Sequence, residues 1–385
     1  MSLFKIFGIE IRLDISVVII FALIVFSLGS GVFPQWHPDW SPLLTWTTAI
    51  ISGVVFFASL LAHELSHSVV SQHYNIPVPR ITLFLFGGMA ETSSEPDRPK
   101  VEFLVAIIGP VTSFVIAIAC INLAFWIADD AQLVRELNAG NAEALSRLGA
   151  VSTALLWLGS INMVIAIFNM IPGFPMDGGR VFRAIIWAMT GDQIQATRWA
   201  SNAGRYFGWL LMFLGVFFLF NGALSGLWWI LIGWFISSIA SMSYKQLISD
   251  TVLRKHRVSD LMRTRFDDVS ANMSLPDFVE RHLLRSSQVL WPVVDGEQLK
   301  GIVSLNDVAE LSGEERQDKS VKDVMRPLDS IDYLEPDSRA HDALRRLAGA
   351  GDEPMPVIRD GKVCGLIQHR DLVKWMSLHN RSLDA

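Results

Sequence analysis

Long apolar runs, separated by short polar clusters, occupy the first 244 positions of the chain and then stop. A helix that crosses a bilayer needs about 20 mainly apolar residues. Six stretches meet that length, at 14–33, 48–70, 101–127, 150–171, 205–221 and 224–244. Only Asn221-Gly222-Ala223 separates the last two, which predicts a tight helical hairpin. Ahead of the first run, Phe4–Leu13 alternates apolar and polar positions and predicts a short strand. Residues 81–91, "ITLFLFGGMAE", predict a strand, a break at Gly87-Gly88 and a second short strand.

Beyond residue 244 the pattern turns polar and repeats itself. "VSDLMRT" at 258 returns as "VKDVMRP" at 321, and "WPVVDGEQLKGIVSLNDVAEL" at 291 returns as "MPVIRDGKVCGLIQHRDLVKW" at 355. Each unit predicts a leading segment, an amphipathic helix, a buried strand, a Gly turn, a second strand and a closing helix. The expected fold is a polytopic α-helical membrane protein with about six transmembrane helices and an α/β tandem pair behind it. The expected boundaries are 1–245 for the membrane domain, 246–257 for a linker, and 258–314 and 320–377 for the two repeats.

Composition agrees with this division. The 385 residues are 51% hydrophobic and only 18% charged, with net charge -6, which gives nucleic-acid binding no electrostatic support. Lysine and arginine distribute unevenly among the loops. Lys5, Arg12, Arg80, Arg98, Lys100, Arg180, Arg183, Arg198, Arg205, Lys245, Arg254, Lys255 and Arg257 fall on one side, and Arg135 and Arg147 on the other. The rich side is expected to be cytosolic, with both termini and the tail there. Cys120 and Cys364 then occupy different compartments, so no disulfide is expected. The N-terminus lacks a signal-peptide pattern, and the expected location is a prokaryotic cytoplasmic membrane.

The second apolar run is interrupted by His63-Glu64-Leu65-Ser66-His67. Ionisable groups inside a bilayer cost about 3 kcal/mol each unless paired or ligated. On a helix, positions i and i+4 share a face, so both imidazoles can reach one metal ion. The glutamate beside them can take a proton from water. A third protein ligand is needed. Residues 168–180, "FNMIPGFPMDGGR", end the fourth run, and Pro172 and Pro175 break the helix there. Asp177 lies in that broken segment, where irregular backbone is tolerated only around a cavity or within protein. His73, six residues past His67, points elsewhere and is expected in the following loop.

These two motifs together resemble the site-2 protease family of intramembrane zinc metalloproteases. Asn169, Pro172, Pro175, Asp177 and Gly178 match the family's second motif in register, and Gly109-Pro110 matches a feature of its third segment. The resemblance covers 1–244. It implies one catalytic zinc ion held by His63, His67 and Asp177, Glu64 as general base, and Asn169 near the substrate carbonyl or oxyanion. The family's sheet-like loop corresponds to 81–91, with Gly87 and Gly88 at a substrate-binding edge. Substrates would be single-span membrane proteins.

The tail repeats resemble cystathionine-β-synthase (CBS) domains. The nucleotide signature Gly-x-x-Thr/Ser-x-x-Asp is complete as Gly301, Ser304 and Asp307, and is altered to Gly365, Gln368 and Asp371 in the second repeat. The implied ligand is an adenine nucleotide, ATP, ADP or AMP, and the implied assembly a homodimer through these domains. The competing readings are a transporter or channel with a CBS tail, and a zinc-binding relative without proteolytic activity. No repeat relates segments 1–3 to 4–6, and Glu64 is intact, which favours the protease.

Overall fold

A computed structural model describes residues 2–380, apart from 85–86, 93–95, 139, 141, 255, 297, 310, 313–314 and 350–352. The chain divides into two compact units, Met1–Tyr244 and Lys245–Ala385.

The first unit opens with β1 (Ser2–Ile6) and β2 (Ile9–Leu13), a hairpin rather than the one strand expected. Phe7 and Gly8, both with positive φ, make the turn that the alternation pattern concealed. Helix α1 (Ser16–Ser27) continues through a π turn into α2 (Phe33–Trp36), and together they form the first long apolar helix. Then come α3 (Pro42–His73), β3 (Arg80–Phe84), β4 (Gly87–Glu91), α4 (Pro99–Ala128), α5 (Ala131–Asn138), α6 (Ala150–Asn169), α7 (Asp177–Thr190), α8 (Gln193–Phe220) and α9 (Gly226–Arg254). Among the described residues, six helices are long and apolar enough to span a membrane. They match the six apolar runs, with α3 and α8 starting earlier than the hydropathy pattern placed them.

Hydrophobic burial is partial in this unit. Phe26, Phe213, Phe220 and Trp228 are exposed, as expected of helices whose outer faces meet lipid. Close helix contact depends on glycine. A Cβ on Gly208 would lie 2.5 Å from the Gly233 carbonyl oxygen, and one on Gly226 2.3 Å from that of Gly215. The α8–α9 hairpin is therefore packed backbone to backbone.

Strands β1 to β4 form one sheet in that order, with β2 and β3 parallel and the outer pairs antiparallel. Its buried face, Ile9, Ile11, Ile81 and Leu83, packs against Phe57, Leu61 and Leu65 of α3. Those three lie four residues apart, one stripe of the helix beside the His63–His67 stripe. The sheet is thereby seated next to the motif.

In the second unit α10 (Val258–Leu261), β5 (Val269–Ser270), α11 (Leu275–Phe278), β6 (Leu290–Asp295), β7 (Gln298–Ser304) and α12 (Leu305–Ala309) precede β8 (Arg326–Pro327), α13 (Ala340–Gly349), β9 (Met355–Arg359), β10 (Lys362–Ile367) and α14 (His369–Asn380). The leading segments are exchanged between repeats. Val258 and Leu261 are buried in the core with Val357, Ile367 and Leu372, and Val321 with Trp291, Val293 and Val303. Arg263 and Leu366 bond each other's backbones across the repeats, at 2.8 and 3.0 Å.

Candidate metal centre

Helix α3 starts cleanly because Ser41 caps it, its side chain accepting from the Leu44 N–H, with Pro42 at the first turn. The helix runs about nine turns without a break, so His73 ends α3 instead of lying in a loop. It is exposed and outside the cluster that follows.

His63 and His67 face the interior, 3% and 8% exposed. Their Nε2 atoms lie 3.2 Å apart. Asp177 Oδ2 lies 3.2 Å from His63 Nε2 and 3.3 Å from His67 Nε2. Two residues of one helix thus meet a carboxylate more than a hundred positions later.

The outer hydrogen bonds determine which ring atoms converge. His67 Nδ1 lies 2.6 Å from the Val105 carbonyl oxygen. A carbonyl only accepts, so Nδ1 carries the proton and the neutral ring presents its lone pair at Nε2. His63 Nδ1 is held by Ser113 Oγ at 2.8 Å. A serine hydroxyl can accept from His63 Nδ1, which leaves the Nε2 lone pair facing inward there too, so two imidazole nitrogens and a carboxylate oxygen crowd around one point. A single proton bridges two of them; a divalent cation satisfies all three. The donor set, two neutral imidazoles and one carboxylate with a coordination position left open, suits catalytic zinc. The three side chains can hold a metal ion as they stand.

Asp177 is delivered by tight backbone packing. Helix α6 ends at Asn169, and a turn runs through Pro172 and the cis Phe174–Pro175 bond. Asp177 is the first residue of α7, an ordered helix start where a wholly irregular segment was expected. The turn folds back over that start. A Cβ on Gly178 would lie 2.4 Å from the Met170 carbonyl carbon, and one on Gly179 2.3 Å from that of Gly173. On the other side Gly204 of α8 touches the turn, its imagined Cβ 2.0 Å from the Phe174 carbonyl oxygen. The Asp-Gly-Gly sequence is thus a packing requirement as well as the source of the converging carboxylate.

Glu64 sits beside His63 under the sheet. The Gly88 N–H donates to its carboxylate, and Arg180 is near enough for its charge to act on it. A Cβ on Gly88 would lie 2.3 Å from Glu64 Cγ. So Gly88 contacts the glutamate directly, while Gly87 has φ +132 and open space where a side chain would be. Strand β4 pairs with β3 along one side only, among the described residues. Asn169 is half-buried at the end of α6, and no described hydrogen bond joins it to the three converging residues.

In the tail, Ser304 is buried and caps α12, and Asp307, the third residue of that helix, reaches back to it, accepting from the Ser304 N–H at 2.7 Å and its hydroxyl at 2.6 Å. Arg326 also pairs with Asp307. Gly301 lets β8 approach, for its Cβ would lie 2.2 Å from the Arg326 carbonyl oxygen. The second repeat mirrors this arrangement, with Arg263 on Asp371. A cavity of about 430 Å³ opens there, lined by Arg263, Arg265, Phe266, Gln368, Arg370 and Asp371 among others.

Residues 52–215 match peptidase family M50, and 258–314 and 321–378 each match the CBS domain. The membrane unit carries a peptidase family M50 domain. This M50 protein is a zinc metalloprotease of the site-2 protease type, with a CBS pair behind its membrane helices. It is 28% identical over 97% of its length to the zinc metalloprotease Rip3 of Mycobacterium tuberculosis, 92% of which is covered. It is 25% identical over 98% of its length to a zinc metalloprotease of Methanocaldococcus jannaschii, 96% of which is covered. The solved site-2 protease from that organism superposes with TM-score 0.39, at 26% identity, over 63% of this M50 chain and 94% of the other.

Sequence reasoning found the three converging residues and Glu64 but missed their supports. Gly109 stood out only through its Gly-Pro match, not as a neighbour of the imidazoles, and Ser113 carried a faint signal as a small residue in an apolar run. The Val105 carbonyl carried none, because it is backbone.

Proposed function

We propose that this protease cleaves single-span membrane proteins within the bilayer, with His63, His67 and Asp177 holding one zinc ion and Glu64 acting as general base. The observation that carries the reading is the meeting of those three donor atoms at 3.2–3.3 Å beside Glu64, on a helix long enough to span the membrane. Zinc bound there supplies Lewis acidity toward a water molecule and the scissile carbonyl. The Glu64 carboxylate takes the proton of the attacking water and returns it to the leaving amine. The Gly88 N–H holds that carboxylate in place. Asn169 stands at the end of α6 to steady the substrate carbonyl or the oxyanion formed from it. A substrate helix hides its carbonyls in its own hydrogen bonds, so it unwinds before cleavage. The free edge of β4, at Gly87 and Gly88, offers backbone hydrogen bonds to the unwound stretch.

The lysine and arginine distribution supports a cytosolic position for both termini and the tail, in a cytoplasmic membrane. We propose residues 1–245 as the protease domain, 246–257 as linker, and 258–314 and 320–377 as a CBS pair that binds an adenine nucleotide, gates cleavage and dimerises. The cavity at Asp371, with three arginines and Phe266 in its lining, fits the phosphates and the base. In the first repeat Ser304 and Asp307 bond each other and Arg326 pairs with Asp307, as Arg263 pairs with Asp371 in the second.

The test is reconstitution with a single-span substrate. Wild type should cleave, Glu64→Gln should not while still binding zinc, and a chelator should stop the wild type. Zinc binding with no Glu64-dependent cleavage of any substrate refutes the proteolytic assignment. A cleavage rate indifferent to ATP, ADP and AMP, with no nucleotide bound, refutes the regulatory one.

A further inference from the structure

The supports of all three converging residues trace back to helix α4. Val105 of α4 bonds His67, and Ser113 of α4 bonds His63. Gly109, between them, leaves room for both rings. Glu102, one turn earlier on the same face, is fully buried and pairs with Arg183 of α7, which is 5% exposed. Both Nε and Nη2 of the guanidinium reach the same carboxylate oxygen. The positions 102, 105, 109 and 113 fall at i, i+3, i+7 and i+11, a single stripe.

Arg183 is also bound to the turn that precedes Asp177. Its guanidinium lies over the Phe174 ring, 5.5 Å from the centroid. The Phe174 N–H in turn donates to the Ala200 carbonyl of α8 at 3.2 Å. One side chain thus ties α4, the turn and α7 together, six residues beyond Asp177.

We propose that Arg183, through Glu102 and Phe174, is the positioning residue for Asp177, so that α4 sets the geometry of the carboxylate as it does of both imidazoles. Apolar replacements of a buried ion pair are often neutral or stabilising, so stability alone does not account for it. What the planar fork supplies is a defined register of α7 along α4, which a point charge on a flexible stem does not. Metal sites are sensitive to that outer support, commonly by 10–100-fold in affinity.

The inference rests on the assignment of His63, His67 and Asp177 as ligands, and the experiment separates the two. Full-length protein in detergent is titrated with cobalt(II), and its visible absorption bands and its affinity in chelator competition are read alongside thermal unfolding. His67→Ala should abolish the bands. Arg183→Met and Glu102→Gln should weaken cobalt affinity about 10–100-fold and change the bands. Arg183→Lys, which keeps charge without the fork, should recover part of the loss, and Phe174→Leu should show a smaller loss. Ser201→Ala, which removes a buried bond to the Ala240 carbonyl on the α8–α9 side, should leave affinity unchanged. If Arg183→Met does not fold, Arg183→Lys and Glu102→Gln carry the same comparison. Folded variants with wild-type affinity and bands would overturn the positioning role and leave the ligands standing. Bands that survive His67→Ala would overturn the ligand assignment, and this inference with it.

Discussion

Gly109→Ala is a one-methyl change that reaches the candidate metal centre without replacing a proposed ligand. The new methyl would lie 2.1 Å from His67 Nε2, 2.5 Å from its Cε1 and 2.7 Å from His63 Nε2. Ordinary contact begins near 3.4 Å, so one ring must retreat by about 1.3 Å, or the two must share the shift. Retreat is obstructed, because the Val105 and Ser113 bonds hold the far side of each ring. Metal–ligand distances tolerate only about 0.2 Å. The fold should pay little. Overpacking costs about 1–3 kcal/mol, and the better helix propensity of alanine returns about 1 kcal/mol. The expected variant is folded, poor in zinc and slower by at least about 100-fold. Metal content by mass spectrometry, cleavage of a single-span reporter and a thermal melt read these separately. Gly31→Ala, which meets open space, is the control. Wild-type zinc content and rate in Gly109→Ala would refute the close-packed geometry on which the site is built.

Gly88→Val should disturb the glutamate and spare the metal, because its Cβ would lie 2.3 Å from Glu64 Cγ; zinc content near wild type with a large fall in turnover is expected, and equal loss of both would argue against it. Gly204→Ala places a Cβ 2.0 Å from a backbone oxygen of the Asp177 turn, so a lower melting temperature and reduced zinc content should appear together. Asp371→Ala should abolish nucleotide binding to the tail in calorimetry. Asp307→Ala should chiefly lower tail stability, by about 1 kcal/mol, through loss of its bonds back to the Ser304 cap.

Much of this protein was legible in its residues. Bilayer spans declare themselves because about 20 apolar positions are a local property, and all six were found. The repeat was visible because similar sequences make similar units. The ligand motif could be read because i, i+4 geometry is local to one helix, and because ionisable groups in an apolar run demand a reason. Less local features were read wrongly or missed. The first strand proved to be a hairpin, since Phe7-Gly8 turns an alternation that looks continuous. The start of α7 at Asp177 was hidden behind two prolines and two glycines that read only as disorder of the helix.

The sequence by itself determined which groups are the candidates for the chemistry: two imidazoles and a glutamate on one helix, and an aspartate after a proline-broken end. It also determined the division into membrane helices and a polar repeat. Tertiary structure decided that Asp177 meets the imidazoles at 3.2–3.3 Å, and that α4 supports them through a carbonyl, a hydroxyl and a buried ion pair. It also decided that β4 lies on Glu64, and that each tail repeat borrows the other's leading segment. The reason is physical. A residue's type and its neighbours along one helix are written in the chain, but the approach of one backbone to another depends on side chains and missing side chains from many segments at once.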